Sequence, residues 1–367
     1  MFDPELTLQH MESLRQPNGA FVASTSANYR SIWLRDHLYM AKCYSYLGPN
    51  YHQKLRESMH IAFNIFHQHR HKLERIVLPR DHNNILIPHQ LIHAKYDPLT
   101  LNEVTTDWGH HQIDAIGLFL YAVADLEYKN IKVCRDKGDG EIIQLLVFYL
   151  QNVEYWREPD NGIWEEHVLR HSSSIGAAVA GLSYIKRQGL AVVPHELIAR
   201  GENELQRILP WESRDSCSVK EHSHDCDAAQ LFLIWPFHAV NRDIADLILS
   251  RITEGHRTEN REFHRLVQPM GINRYWGDGY EQSDNGVSAE WQWEFLITII
   301  YCQNNDYETA YRWFKKGAGR ITPEGYISEA YRNGAPNENT PLGWMHALAL
   351  IAYFKFSPEY QEKLRTE

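Results

Sequence analysis

Apolar residues along this chain recur at helical spacing far more often than they alternate. Leu55, Met59, Ala62 and Phe66 advance by four, three and four, which sets them on one helix face. Ile113, Ile116, Leu120 and Val123 repeat the pattern within HHQIDAIGLFLYAVADLEYKN. Further stretches of this kind lie near 36–47, 141–156, 172–187, 195–208, 226–236, 242–254, 288–303, 306–317 and 343–355. With the amphipathic first residues, they predict about a dozen helices. Strand signals are few: ERIVLPR (74–80) and NNILIPH (83–89) predict two short strands around DHNN. There is no regular strand–helix alternation, no glycine-rich phosphate loop and no long linker. The pattern predicts one all-α domain over residues 1–367, with long loops that bear a site.

The loops hold the unusual residues. NYRSIWLRD (28–36), TTDWGHHQID (105–114), DNGIWEEH (160–167), GINRYWGDGYE (271–281) and GYISEAY (325–331) each mix aromatics with carboxylates, often with arginine. That mixture suits sugar recognition: hydroxyls take charged, bidentate partners, and the C–H faces of the ring take aromatic platforms. Composition agrees. Aromatics make up 12% of the chain, and a formal net charge of -10 repels phosphate backbones, which argues against a nucleic-acid partner. No apolar run reaches the roughly 18 residues of a membrane helix. The first residues, MFDPELTLQHMESLRQ, lack the basic start and apolar stretch of a secretory signal, so the chain reads as cytoplasmic. Cys43, Cys134, Cys217, Cys226 and Cys302 are odd in number and scattered, which fits a reducing compartment.

Glu165 and Glu166, directly after Trp164, are the sharpest candidates. Adjacent residues point in different directions, so one faces a bond to be cleaved while the other grips a different hydroxyl. Trp164 and the neighbouring charge would raise a carboxyl's pKa, as a general acid needs. The plain alternative is an exposed acidic helix start. Glu329 in EGYISEAY is the candidate partner carboxylate, its plain alternative being a surface glutamate, and inverting glycoside hydrolysis sets such a pair roughly 6.5–9.5 Å apart. Arg35 and Asp36 present donors and acceptors to one sugar, or else form a local salt bridge. HQHRHK (67–72) reads as a helix C-terminus and CSVKEHSHDC (217–226) as a loop; neither has metal-finger spacing, and no metal or cofactor is assigned.

Together these loops resemble glycoside hydrolase family 15, the glucoamylase family, and most closely the homologous N-terminal region of phosphorylase kinase alpha and beta subunits. The likeness rests on IWLRDHLYM, HAKYDPLTL followed by DWGHHQIDAIGLFL, PDNGIWEEH with SSSIGAAVAGL, DAAQL, NRYWGDGY, and SEAY with LGWMHALALI, in that order over roughly residues 20 to 355. The resemblance implies an (α/α)6 toroid; as a departure from those relatives, no separate starch-binding or calmodulin-binding domain is expected in residues 1–367. It implies that Glu165 is the general acid, Glu329 the general base and Glu166 a sugar-binding carboxylate. It implies substrate contacts from Tyr29, Trp33, Arg35, Asp36, Trp164, Arg274 and Trp344, with Trp108 as a stacking platform. The expected activity is inverting hydrolysis of a small α-linked glucoside or oligosaccharide. The alternative is a non-catalytic carbohydrate-binding or regulatory protein; a helical scaffold for protein partners leaves the aromatic–carboxylate loops unexplained.

Overall fold

The structure, a computed structural model, describes residues 2–77, 90–105, 109–213, 224–258 and 261–366. Fourteen α-helices occur among them, and they alternate between an inner and an outer layer along the chain. Outer α1 (Pro4–Ser13) precedes inner α2 (Leu34–Cys43), followed by outer α3 (His52–Gln68) and α4 (Arg70–Val77). Inner α5 (Ile113–Tyr128) pairs with outer α6 (Lys137–Val153), and inner α7 (Ser172–Gln188) with outer α8 (His195–Ile208). Then come inner α9 (Leu231–Ile234) with outer α10 (Arg242–Thr253), and inner α11 (Glu294–Gln303) with outer α12 (Tyr307–Ala318). Inner α13 (Gly343–Lys355) packs on α1, and α14 (Pro358–Thr366) on α12.

The inner helices form a closed ring. Contacts run from α2 to α5, α7, α9, α11 and α13, and α13 returns to α2. This is the expected (α/α)6 toroid. Sequence sorts the layers: every residue of α2 is buried and α5 is apolar nearly all round, whereas α3 buries one stripe through Leu55, Met59, Ala62 and Phe66. Glycine allows the tightest crossing. A Cβ at Gly117 of α5 would stand 2.4 Å from the Ala177 backbone of α7, and one at Gly181 2.6 Å from the Gly117 carbonyl oxygen.

Some boundaries differ from expectation. Residues 74–77, read as strand, continue helix α4, whose Leu73 and Ile76 are buried three apart, and the rest of both expected strands lies outside the described residues. The helix expected over 226–236 is a 3-10 turn (Ala228–Gln230) followed by the short α9. The helix expected from 288 begins at Glu294, because Glu290 and Trp291 bridge to Tyr331 and Ile272. Three two-stranded ladders are present among the described residues: β1 (Ile32–Trp33) with β2 (Lys95–Tyr96), β3 (His256–Arg257) with β4 (Phe263–His264), and β5 (Tyr331–Arg332) with β6 (Ala335–Pro336). No described helix is long and apolar enough to cross a membrane.

Candidate active site

The N-terminal ends of inner helices and the loops before them enclose a cavity of about 550 Å³. Trp33 is the N-cap residue of α2, and Arg35 and Asp36 form its first turn. Tyr29 ends a 3-10 turn just before β1, and Trp344 lies in the first turn of α13. The loop bearing Ile163 to Glu166 is tied off by an antiparallel bridge between Asp160 and Leu169. Gly109 lets the preceding segment press against that loop: a Cβ there would stand 2.9 Å from the Glu165 carbonyl oxygen. Ten of the eleven residues singled out in the sequence line the cavity: Tyr29, Trp33, Arg35, Asp36 and Trp164, with Glu165, Glu166, Arg274, Glu329 and Trp344. Trp108 lies outside the described residues.

Glu165 and Glu166 sit in a turn, not at a helix start, and they diverge. Glu165 has φ 63°, a left-handed conformation unusual for a side chain with a Cβ. It accepts hydrogen bonds from Trp33 Nε1 at 2.9 Å and Arg35 Nη1 at 3.2 Å. The indole bonded to it is thus that of Trp33; Trp164 instead donates its N–H to Asp227, at 2.8 Å. Glu166 turns the other way and accepts from Arg274 Nη2 and Tyr275 Oη, each at 2.5 Å.

The two arginines are built alike. Arg35 is anchored by buried Asp114 at 2.8 Å and by Gln112 at 2.7 Å, and extends to Glu165. Arg274 is held bidentately by buried Asp278, both bonds 2.7 Å, and extends to Glu166. Each guanidinium therefore fixes one of the paired glutamates from a base that is itself out of water. The Arg35–Asp36 salt bridge weighed from sequence is replaced by Arg35–Asp114. Asp36 receives no hydrogen bond from any described side chain. Burial pushes its carboxyl up to about 7; Arg35 opposes this, while the charges of Glu165 and Glu329 add to it.

Among the cavity's carboxylates, Glu329 accepts the most hydrogen bonds from described residues. Tyr29 donates to Oε1 at 2.6 Å, while Tyr280, Asn337 and Asn339 donate to Oε2 at 2.9, 2.7 and 2.6 Å. Burial, and next the charge of Glu329, raises the Tyr29 phenol well above its ordinary value, so it stays a donor. With three donors on Oε2 the carboxylate cannot rotate, and Oε1 is the oxygen with acceptor capacity left. Aromatic rings complete the walls: Trp291 lines the cavity, and Lys95 Nζ lies 4.2 Å from the Trp33 ring.

Sequence reasoning missed Asp114, Gln112, Tyr280, Asn337, Asn339 and Asp278, all of which position another residue. Tyr280 and Asp278 stood inside NRYWGDGY, where the mix of aromatics and carboxylates was the available signal. Asn337 and Asn339 follow Glu329 in a polar loop with no such mark. The HQHRHK histidines spread over the α3–α4 junction, His67 meeting Asp139 and His69 the Leu101 carbonyl. Outside the cavity, Asp225, His256 and His264 bring possible metal-ligand atoms within 4.8 Å of one another.

Known proteins place the fold. The glycosidase structure solved for a tyrosine-to-phenylalanine variant superposes with a TM-score of 0.77 at 18% identity, over 96% of each chain. A glycosidase variant in complex with glucose gives 0.76, again at 18% identity and 96% of each chain. Glucoamylase from Saccharomycopsis fibuligera gives 0.68 at 14% identity, over 99% of this chain and 94% of that one. In sequence, the probable phosphorylase b kinase regulatory subunit alpha of Drosophila melanogaster is 28% identical over 81% of this chain and 25% of its own length. The skeletal muscle isoform from Oryctolagus cuniculus is 32% identical over 69% of this chain and 23% of its own. The chain thus spans about a quarter of the curated relatives it matches. The model described as glycosyl hydrolases family 15 matches residues 7–354, nearly the whole ring, and the chain belongs to that family.

Proposed function

We propose that this chain is an inverting glycoside hydrolase that removes glucose from a small α-linked glucoside or oligosaccharide. Glu165 protonates the leaving oxygen, and Glu329 activates a water on the opposite face of the sugar. The observation that carries this reading is the shared cavity: Glu165 and Glu329 both line it, each held by its own donors from a different part of the ring. Tyr280, Asn337 and Asn339 lock Glu329 so that Oε1 receives the water proton. Asp36, to which no described side chain donates, accepts sugar hydroxyls, and Trp33, Trp291 and Trp344 offer apolar faces to the ring. The mechanism requires the two carboxyls to be about 6.5–9.5 Å apart; a separation near 5 Å would give retention.

A second reading, a sugar-binding regulatory protein, is supported by one feature of the site. Both oxygens of Glu165 already accept hydrogen bonds, from Trp33 and Arg35, and a proton donor has to turn one of them to the leaving oxygen. The relatives named as regulatory subunits fit that reading. The two readings separate in one experiment: glucose release is followed with maltose, isomaltose, trehalose, maltotriose and glycogen while binding is measured calorimetrically on the same samples. Release supports the hydrolase; binding without release across the panel supports the sensor.

A further inference from the structure

We propose that Asp225, His256 and His264 form a structural site for a divalent transition metal, with zinc as the best match, just outside the sugar cavity.

The backbone prepares the site. His256 and His264 are directly opposed partners in the β3–β4 ladder, which puts their imidazoles on one face at cross-strand distance. Their rings meet edge to face with centroids 5.6 Å apart. Asp225 arrives from the segment before α9 and closes the third side. Its Oδ2 lies 2.7 Å from His256 Nε2 and its Oδ1 3.9 Å from His264 Nδ1. The ligand atoms of all three residues fall within 4.8 Å of one another. Arg251 does not compete for the carboxylate through its hydrogen bond here, because it donates to the Asp225 backbone carbonyl, at 2.6 Å.

An ion pair alone accounts for this cluster poorly. His256 and Asp225 satisfy each other, but His264 Nδ1 is buried and has no hydrogen-bond partner, since 3.9 Å is too long for one. Its lone pair points at nothing that carries a proton for it. A metal ion takes that lone pair and removes the orphan. The ring proton of His264 then sits on Nε2, on the side of Glu262, whose Oε2 at 3.7 Å is beyond hydrogen-bond distance. Without metal, His256 donates its Nε2–H to Asp225; when Nε2 binds the ion, the ring proton moves to the buried Nδ1. Zinc bonds of about 2.0–2.1 Å set neighbouring ligand atoms about 3.3 Å apart, so His256 and Asp225 open slightly and His264 closes in. Two imidazoles and one carboxylate favour zinc over calcium or magnesium, which take oxygen sets. Solvent completes the coordination.

The location gives the ion a structural task. His264 stacks on Trp276 with centroids 4.5 Å apart, and Trp276 follows Tyr275, which holds Glu166. On the other side, His224 next to Asp225 stacks on Tyr275 at 3.8 Å, and Asp227 receives the Trp164 N–H. The metal joins the β3–β4 hairpin to the 224–227 segment, behind the wall that presents Glu166 and Trp164.

The test uses tag-free full chain, stripped with a chelator. Calorimetric titration with zinc should give one saturable site per chain, and the thermal midpoint should rise with zinc concentration. His256→Gln and His264→Gln should each abolish saturable binding and the zinc-dependent rise, while keeping the wild-type midpoint in chelator. If either glutamine variant fails to fold, Asp225→Asn carries the same test. Cobalt titration should give the visible bands of a nitrogen–oxygen site without a thiolate charge-transfer band, which separates this set from the nearby Cys226. Absence of stoichiometric zinc binding in the wild type, undiminished binding in the variants, or a thiolate band would each overturn the proposal.

Discussion

Replacing Asp36 by asparagine should make the sugar-free protein more stable at pH 8 and weaken sugar binding at the same time. Asp36 is 5% exposed, and no described side chain donates to its carboxyl. Its pKa stands at about 7 against 3.8 for the ordinary group. The folded state therefore holds this proton more tightly than the unfolded chain. Below about pH 4 the acid is neutral in both states and asparagine resembles it in size and polarity, so the variant gains nothing there. Between about pH 4 and 7 the unfolded wild type ionises first, and wild-type stability falls as pH rises. Above 7 the penalty is complete, with a ceiling on the order of 4 kcal/mol. Water in the cavity screens the carboxylate, so the expected gain at pH 8 is about 1–3 kcal/mol. Sugar binding moves the other way: losing one charged hydrogen bond costs about 1.5–3 kcal/mol, roughly 10–150-fold in affinity. The assay pairs thermal unfolding at pH 5, 6, 7 and 8 with calorimetric glucose titration. A variant less stable than wild type at pH 8, or a gain that does not grow with pH, would mean that Arg35 stabilises Asp36 outright. Unchanged affinity would remove Asp36 from the sugar.

Three further substitutions probe the remaining parts. Glu165→Gln keeps the acceptor for Trp33 but has no proton to deliver, so turnover should fall by roughly 10²–10⁴ with binding retained; single-turnover kinetics and calorimetry check it. Tyr29→Phe removes the 2.6 Å bond to Glu329 Oε1 and should lower kcat by about tenfold with KM little changed, measured on the best substrate of the panel. Asp278→Ala strands the buried Arg274 guanidinium and should destabilise the protein by about 3–5 kcal/mol, read from the thermal midpoint.

Legibility of the fold in the sequence followed the strength of the local pattern. Helices α8 and α13 begin and end where apolar periodicity placed them, because each carries its own unbroken pattern. The strand reading failed over 74–77, where a β-rich composition competed with a helix that the Arg70–Glu74 pair and the buried Leu73 and Ile76 support. The early helix start at 288 failed because pairing of Glu290 and Trp291 with distant Tyr331 and Ile272 overrides local preference. In the cavity, residue types were legible and their partners were not. Arg35 meets Asp114, 79 residues away, and Tyr29 meets Glu329, 300 away; only the closed ring brings these together. The same holds for the indole on Glu165, which comes from Trp33, 132 residues away, and not from its neighbour Trp164.

The central claim is inverting hydrolysis by Glu165 and Glu329, and the most direct measurement is the anomer of the glucose released. Wild type, Glu165→Gln and Glu329→Gln are incubated with maltose, isomaltose, trehalose, maltotriose and glycogen, and proton NMR follows the anomeric signals before mutarotation blurs them. The account predicts that wild type releases β-glucose first from at least one α-linked substrate and that both variants lose this signal. First release of α-glucose, equal release by either variant, or binding with no release from any substrate would contradict it.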